Sequence, residues 1–107
     1  MRMPSVDTID IEKDRLAEQA GEAARLLKLL ANERRLLVLC KLAAAGELTV
    51  GTLAEAVGLS QSALSQHLSL MRAEGLVSAR REGLAVHYTI ADPAARRLLG
   101  TLREIYC

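Results

Sequence analysis

Apolar residues recur at helical spacing along most of this chain and switch to strict alternation only between residues 76 and 90. From Ile11 to about Leu30, the positions Leu16, Ala20, Ala23, Leu27 and Leu30 form one helical stripe, with Gly21 a possible break. Asn32 then has the chemistry of an N-cap, and the spacing predicts a helix from Glu33 to about Ala44, ended by Gly46. Its Leu36, Leu37, Val38, Leu39 and Leu42 are apolar nearly all round, so it belongs in the middle of the domain. A third helix is predicted from near Thr49 to Val57, with Leu53 and Val57 on one face. Gly58 supplies a left-handed residue at its end, Leu59 plugs the turn, and Ser60 caps a fourth helix that starts at Gln61. Between Leu76 and Ile90, Leu84, Val86, Tyr88 and Ile90 alternate with Ala85, His87 and Thr89, which predicts a hairpin with Arg80, Arg81, Glu82 and Gly83 as a basic turn. Asp92 followed by Pro93 opens a last helix through Leu98, Leu99, Leu102 and Ile105.

The fourth helix carries the chemistry. Leu64, Leu68 and Met71 fall on one side, while Gln61, Ser62, Ser65, Gln66 and Ser69 fall on the other, with His67 beside them and Arg72 at the end. A merely solvated helix face favours Lys and Glu, because straight-chain charged residues are better helix formers than Ser. Short polar side chains instead let a backbone lie close to base edges, and Gln can pair with adenine in the major groove. A hairpin carrying Arg80 and Arg81 directly after such a helix has the makings of a wing that holds phosphates or enters the minor groove. The expected fold is therefore mostly α with a small β-hairpin: a winged helix-turn-helix that binds double-stranded DNA, with helix-turn-helix at about 49–73 and wing at about 76–91.

At 107 residues the chain makes one domain, and half of it is hydrophobic. Phe and Trp are absent, and only Tyr88 and Tyr106 are aromatic. The formal net charge of +1 argues against a non-specific DNA coat, though not against a reader whose arginines are concentrated. Five acids, Asp7, Asp10, Glu12, Asp14 and Glu18, cluster far from the wing in sequence. No apolar run approaches the ~18 residues that span a bilayer, and the opening MRMPSVDTIDIEKD is polar and acidic, so a cytoplasmic protein with no membrane partner is expected. The terminal helices, at about 11–30 and 92–106, carry more apolar surface than so small a core needs. The surplus points to a homodimer that presents two recognition helices to half-sites of an imperfect palindrome. With no CxxC, no base near either cysteine and no glycine-rich loop, an enzyme is not expected.

In this order of elements the chain resembles the ArsR family of winged-helix bacterial repressors over nearly its full length. LLKLLANERRLLVLCKL is similar to the family's approach to its central helix, ELTVGTLAEAVGLSQSALSQHLSLMRAEGLV to its helix-turn-helix, and RREGLAVHYTI to its wing. Family members often sense metals. The Cys-x-Cys thiolate site of the family falls here on Thr49, Val50 and Gly51, so that site is absent. No His follows His87, and a zinc site on the last helix is not expected either.

Two cysteines remain, Cys40 in the apolar central helix and Cys107 at the end of the sequence. On the residues alone, Cys40 serves equally well as a small buried hydrophobe or as a reactive thiol, and Cys107 reads more readily as an incidental end. The resemblance extends to the sulfide- and persulfide-responsive branch of the family, where one cysteine ends an LVC-type segment in the central helix and another a YC-type segment in the last helix. LVLC at Cys40 and IYC at Cys107 match both. What this implies is a dithiol, Cys40 and Cys107, bridged by persulfide or polysulfide so that DNA is released, without a metal or cofactor. A carboxylate terminating the chain beside Cys107 disfavours its thiolate and makes Cys40 the expected first nucleophile. The alternative gives the same thiols to a metalloid such as arsenite, or to haem.

Overall fold

A computed structural model describes residues 6–106, with side chains described from Arg15 and from Ala17 onward. Five helices and three short strands follow one another as α1 (Val6–Leu30), α2 (Glu33–Ala45), β1 (Leu48–Thr49), α3 (Val50–Val57), α4 (Gln61–Ala73), β2 (Val77–Glu82), β3 (Ala85–Ile90) and α5 (Pro93–Tyr106). The helix starts are set by the expected caps. Asn32 Oδ1 accepts the Arg35 backbone N–H at 3.0 Å, and Asp92 Oδ1 accepts those of Ala94 and Ala95 at 2.8 and 3.3 Å. α1 differs from expectation. It starts at Val6 rather than Ile11 and runs through Gly21 without a break, because a lone glycine costs a helix only about 1 kcal/mol, too little to end it.

One core joins the layers. Val38, Leu39 and Leu42 of α2, Leu53 of α3, Leu64, Leu68 and Met71 of α4, and Leu99 of α5 are fully buried in it. α2 packs against α3, α5 and β3 and is thus the central helix, although its Leu37 remains 40 % exposed. The predicted stripe on α1 fares differently: only Leu30 enters the core, while Ala20, Ala23 and Leu27 stay exposed. Leu16 lies outside the described side chains. The radius of gyration is 17.3 Å, against about 13 Å for a compact domain of this length, and the long axis reaches 59 Å.

The hairpin is part of a three-stranded antiparallel sheet in the order β1-β3-β2. β1 escapes a reading by periodicity because two residues have no period to show. In the sheet register Thr49 faces His87, which on its other side faces Arg80. The turn is also shorter than the sequence suggests. Arg80, Arg81 and Glu82 belong to β2, and Gly83 and Leu84 alone form the loop. Gly83 takes φ +62° at the first central position, as a type II′ turn requires. Leu84, expected on the buried side of a strand, stands fully exposed at the tip.

Candidate nucleic-acid interface

The helix-turn-helix is held by short-range hydrogen bonds at each corner. Thr49 caps α3, its Oγ1 accepting the Thr52 N–H at 3.3 Å. Gly58, left-handed at φ +70°, ends α3, and Leu59 N–H reaches back to the Ala54 carbonyl at 3.1 Å. Ser60 Oγ then accepts the Ala63 N–H at 3.1 Å and starts α4. With Leu64, Leu68 and Met71 locked in the core, the roll of α4 about its axis is fixed.

That roll turns Gln61, Ser62, Ser65, Gln66, Ser69 and Arg72 to solvent. Ser62 is partly occupied, since its Oγ stands 3.3 Å from Ser60 Oγ. The amide nitrogen of Gln61 stands beside Gly51, 3.9 Å from where a Cβ would sit there. His67 is half-buried, so it offers only part of its ring to a ligand. Leu70, 45 % exposed, lines a cleft with Arg25, Lys28, Leu29, Arg35 and Glu74 and, one turn after Gln66, flanks the serine and glutamine face.

Arg80 and Arg81 part company. By strand alternation Arg80 and Glu82 share the solvent face of the sheet with His87, and Arg81 points the other way. Arg80 Nη1 donates to Glu82 Oε2 at 2.6 Å, and Nη2 donates to Glu47 Oε1 at 2.7 Å. The hydrogen bond from Arg80 holds both carboxyls below their ordinary range, and the two carboxylates hold Arg80 in its charged form. His87 Nδ1 lies 3.6 Å from the same Glu47 oxygen, too far for a hydrogen bond. The hairpin differs from the expected basic turn in its geometry: Arg80 is engaged by two carboxylates, Glu82 of β2 and Glu47 just before β1, while Arg81 is exposed. The sequence pattern does not single out Glu47. Its only signal is an acid two residues before Thr49, on the same side of an extended segment.

Cys40 is half-buried on α2 and packs against the core beside Leu36 and Ala43. Cys107 lies outside the described residues. The two helices concerned, α2 and α5, pack on one another. Among the described residues there is no group of three or more His, Cys, Asp or Glu side chains that could hold a metal ion, and no helix long and apolar enough to cross a membrane.

Residues 32–79, from the cap of α2 into β2, match the bacterial regulatory protein, arsR family. The chain is 40 % identical to the transcriptional activator HlyU of Vibrio cholerae over 98 % of its own length and 96 % of that protein. The chain belongs to the ArsR family. It is 38 % identical to the biofilm growth-associated repressor of Agrobacterium fabrum, over 95 % of this chain and 86 % of that one. The solved structure of reduced HlyU from V. cholerae covers 87 % of this chain and 97 % of its own at 43 % identity and a TM-score of 0.82. A winged helix-turn-helix DNA-binding domain from Mycobacterium bovis, described as homodimeric, covers 86 % and 84 % at 39 % identity and a TM-score of 0.72. This ArsR-family protein is thus a winged helix-turn-helix transcriptional regulator, and these relatives are named as transcriptional regulators, not enzymes.

Proposed function

We propose that this protein is a homodimeric repressor that reads operator DNA through the outer face of α4 and is released when reactive sulfur bridges Cys40 and Cys107. The observation that carries the DNA reading is the exposed row of Gln61, Ser65, Gln66 and Ser69 on a helix whose other side is core. Gln66 and Gln61 suit adenine edges, the serines suit any base edge at close approach, and Arg72 and Arg81 suit phosphates.

Pairing through α1 and α5, at about 11–30 and 92–106, is supported by what the single chain leaves uncovered. Leu27, Leu98, Ile105 and Tyr106 are exposed, and a groove of about 640 Å³ runs between the two helices. Two copies related by a two-fold axis would set their recognition helices about one DNA turn, ~34 Å, apart.

For the effector, the support is the pair of segments LVLC and IYC together with the packing of α2 on α5. The Cys40 thiolate attacks the sulfane sulfur of an organic persulfide, and a thiol leaves. The Cys107 thiolate then displaces hydrosulfide from the Cys40 persulfide and closes a disulfide. Where Cys107 is itself persulfidated, the same displacement leaves three sulfurs in the bridge. Such a link ties the central helix to the end of α5 and shifts the spacing of the two recognition helices.

The test is fluorescence anisotropy on a duplex that the protein itself selects from a randomised pool, for wild type, Cys40→Ser and Cys107→Ser, with an organic persulfide, a disulfide oxidant and arsenite. Release by persulfide in wild type only is the expected result. Release that persists in both variants refutes the dithiol, and release by arsenite alone moves the thiols to metalloid sensing.

A further inference from the structure

In the sheet order β1-β3-β2 the wing's outer strand, β2, touches the rest of the domain through β3 and through the end of α4. Arg80 departs from this arrangement. Its guanidinium reaches over His87 of β3 to Glu47, the residue between Gly46, which ends α2, and Leu48, which starts β1. Two strand spacings, about 9.6 Å, separate β2 from β1, and only a long side chain meeting a second one spans that distance. The planar fork of Arg80 is held at its other nitrogen by Glu82, so both of its ends are fixed. Among the described residues no other side-chain hydrogen bond or ion pair joins β2 to residues 46–49.

We propose that Arg80 and Glu47 are wing-positioning residues: a strap across β3 that fixes the wing against the start of the helix-turn-helix, with Arg80 acting on DNA through the wing's position and not by holding a phosphate. The inference rests on the DNA-binding reading above. Both side chains are half-exposed, and an exposed ion pair adds little to stability, so its effect lies in geometry. A wing that swings free loses orientational order, and its other contacts, Arg81 first among them, then meet the duplex less often.

The experiment measures affinity for the selected duplex as a function of salt for wild type, Arg80→Met, Arg80→Lys, Glu47→Gln and Arg81→Ala, with thermal melting as a check of folding. A phosphate contact contributes to the slope of log affinity against log salt, at about 0.9 per contact, while a positioning residue does not. The strap predicts several-fold weaker binding for Arg80→Met at unchanged slope, no full rescue by Arg80→Lys, since a single ammonium lacks the planar fork whose two separate nitrogens hold Glu47 and Glu82, and weaker binding for Glu47→Gln although a negative charge has been removed. Arg81→Ala flattens the slope by about 1 per protomer. A flatter slope for Arg80→Met, full binding by Arg80→Lys, or tighter binding by Glu47→Gln each overturns the strap and returns Arg80 to the phosphates. Absence of duplex binding by wild type defeats the DNA reading itself, which is a separate result.

Discussion

Arg80 and Arg81 are adjacent in the chain and lie on opposite faces of β2, the first engaged by Glu47 and Glu82, the second exposed. Under the strap proposed above, the wing offers one arginine per protomer to phosphates where the sequence suggests two. A division of labour follows between Arg81 and the face of α4. Gln66→Ala is expected to lose about 1–3 kcal/mol of discrimination at one base pair while leaving binding to random DNA unchanged. Arg81→Ala is expected to weaken binding to all sequences alike. Competition with matched and scrambled duplexes separates the two.

Ser60 sets where α4 begins, and so how its polar face is aimed. Ser60→Ala removes the acceptor for the Ala63 N–H and is expected to destabilise the domain by about 1 kcal/mol, with Ser60→Asp restoring it. Urea unfolding reads the change as a lower midpoint at unchanged slope.

Leu27 is 55 % exposed on α1 and lines the groove beside α5. Leu27→Asp is expected to leave the helical circular dichroism of the domain unchanged at high concentration, yet to turn a sedimenting dimer into monomers and weaken operator binding in step. A variant that stays dimeric would remove this face from the pairing surface.

Glu47 and Glu82 sit below the ordinary value of 4.5 because Arg80 donates to both. A carboxyl lowered on folding adds stability that is present above its unfolded value and is lost as pH falls through its folded one. Whatever small stability separates wild type from Arg80→Met at neutral pH is therefore expected to hold down to about pH 4.5 and to vanish below it, as thermal melting between pH 7 and pH 3 will show. Solvent screening keeps the difference small throughout.

Most of the frame was legible because it is written in local signals. Asn32, Ser60 and Asp92 cap the helices they were expected to cap, Gly58 is left-handed where a turn must fold back, and the period of Leu64, Leu68 and Met71 gives the roll of α4. Non-local relations were not legible. The partner of Arg80 is 33 residues away, and only the sheet register brings Glu47 to it. Leu84 continues an alternating pattern that would extend the strand, yet the loop needs two residues, and the tip consumes it. Gly21 looked like a stop because glycine is a poor helix former, but one such residue does not outweigh 24 others in α1.

The exposed inner side of α1 also bears on how the protein comes to exist as a folded species. Under the dimer reading, a large piece of apolar surface is covered only when two chains meet, so association adds to the stability of the folded chain. The melting temperature then rises with protein concentration, and operator DNA, which binds only the paired form, raises it further. At low protein concentration, where pairing is weakest, its own DNA site would then contribute to keeping it folded.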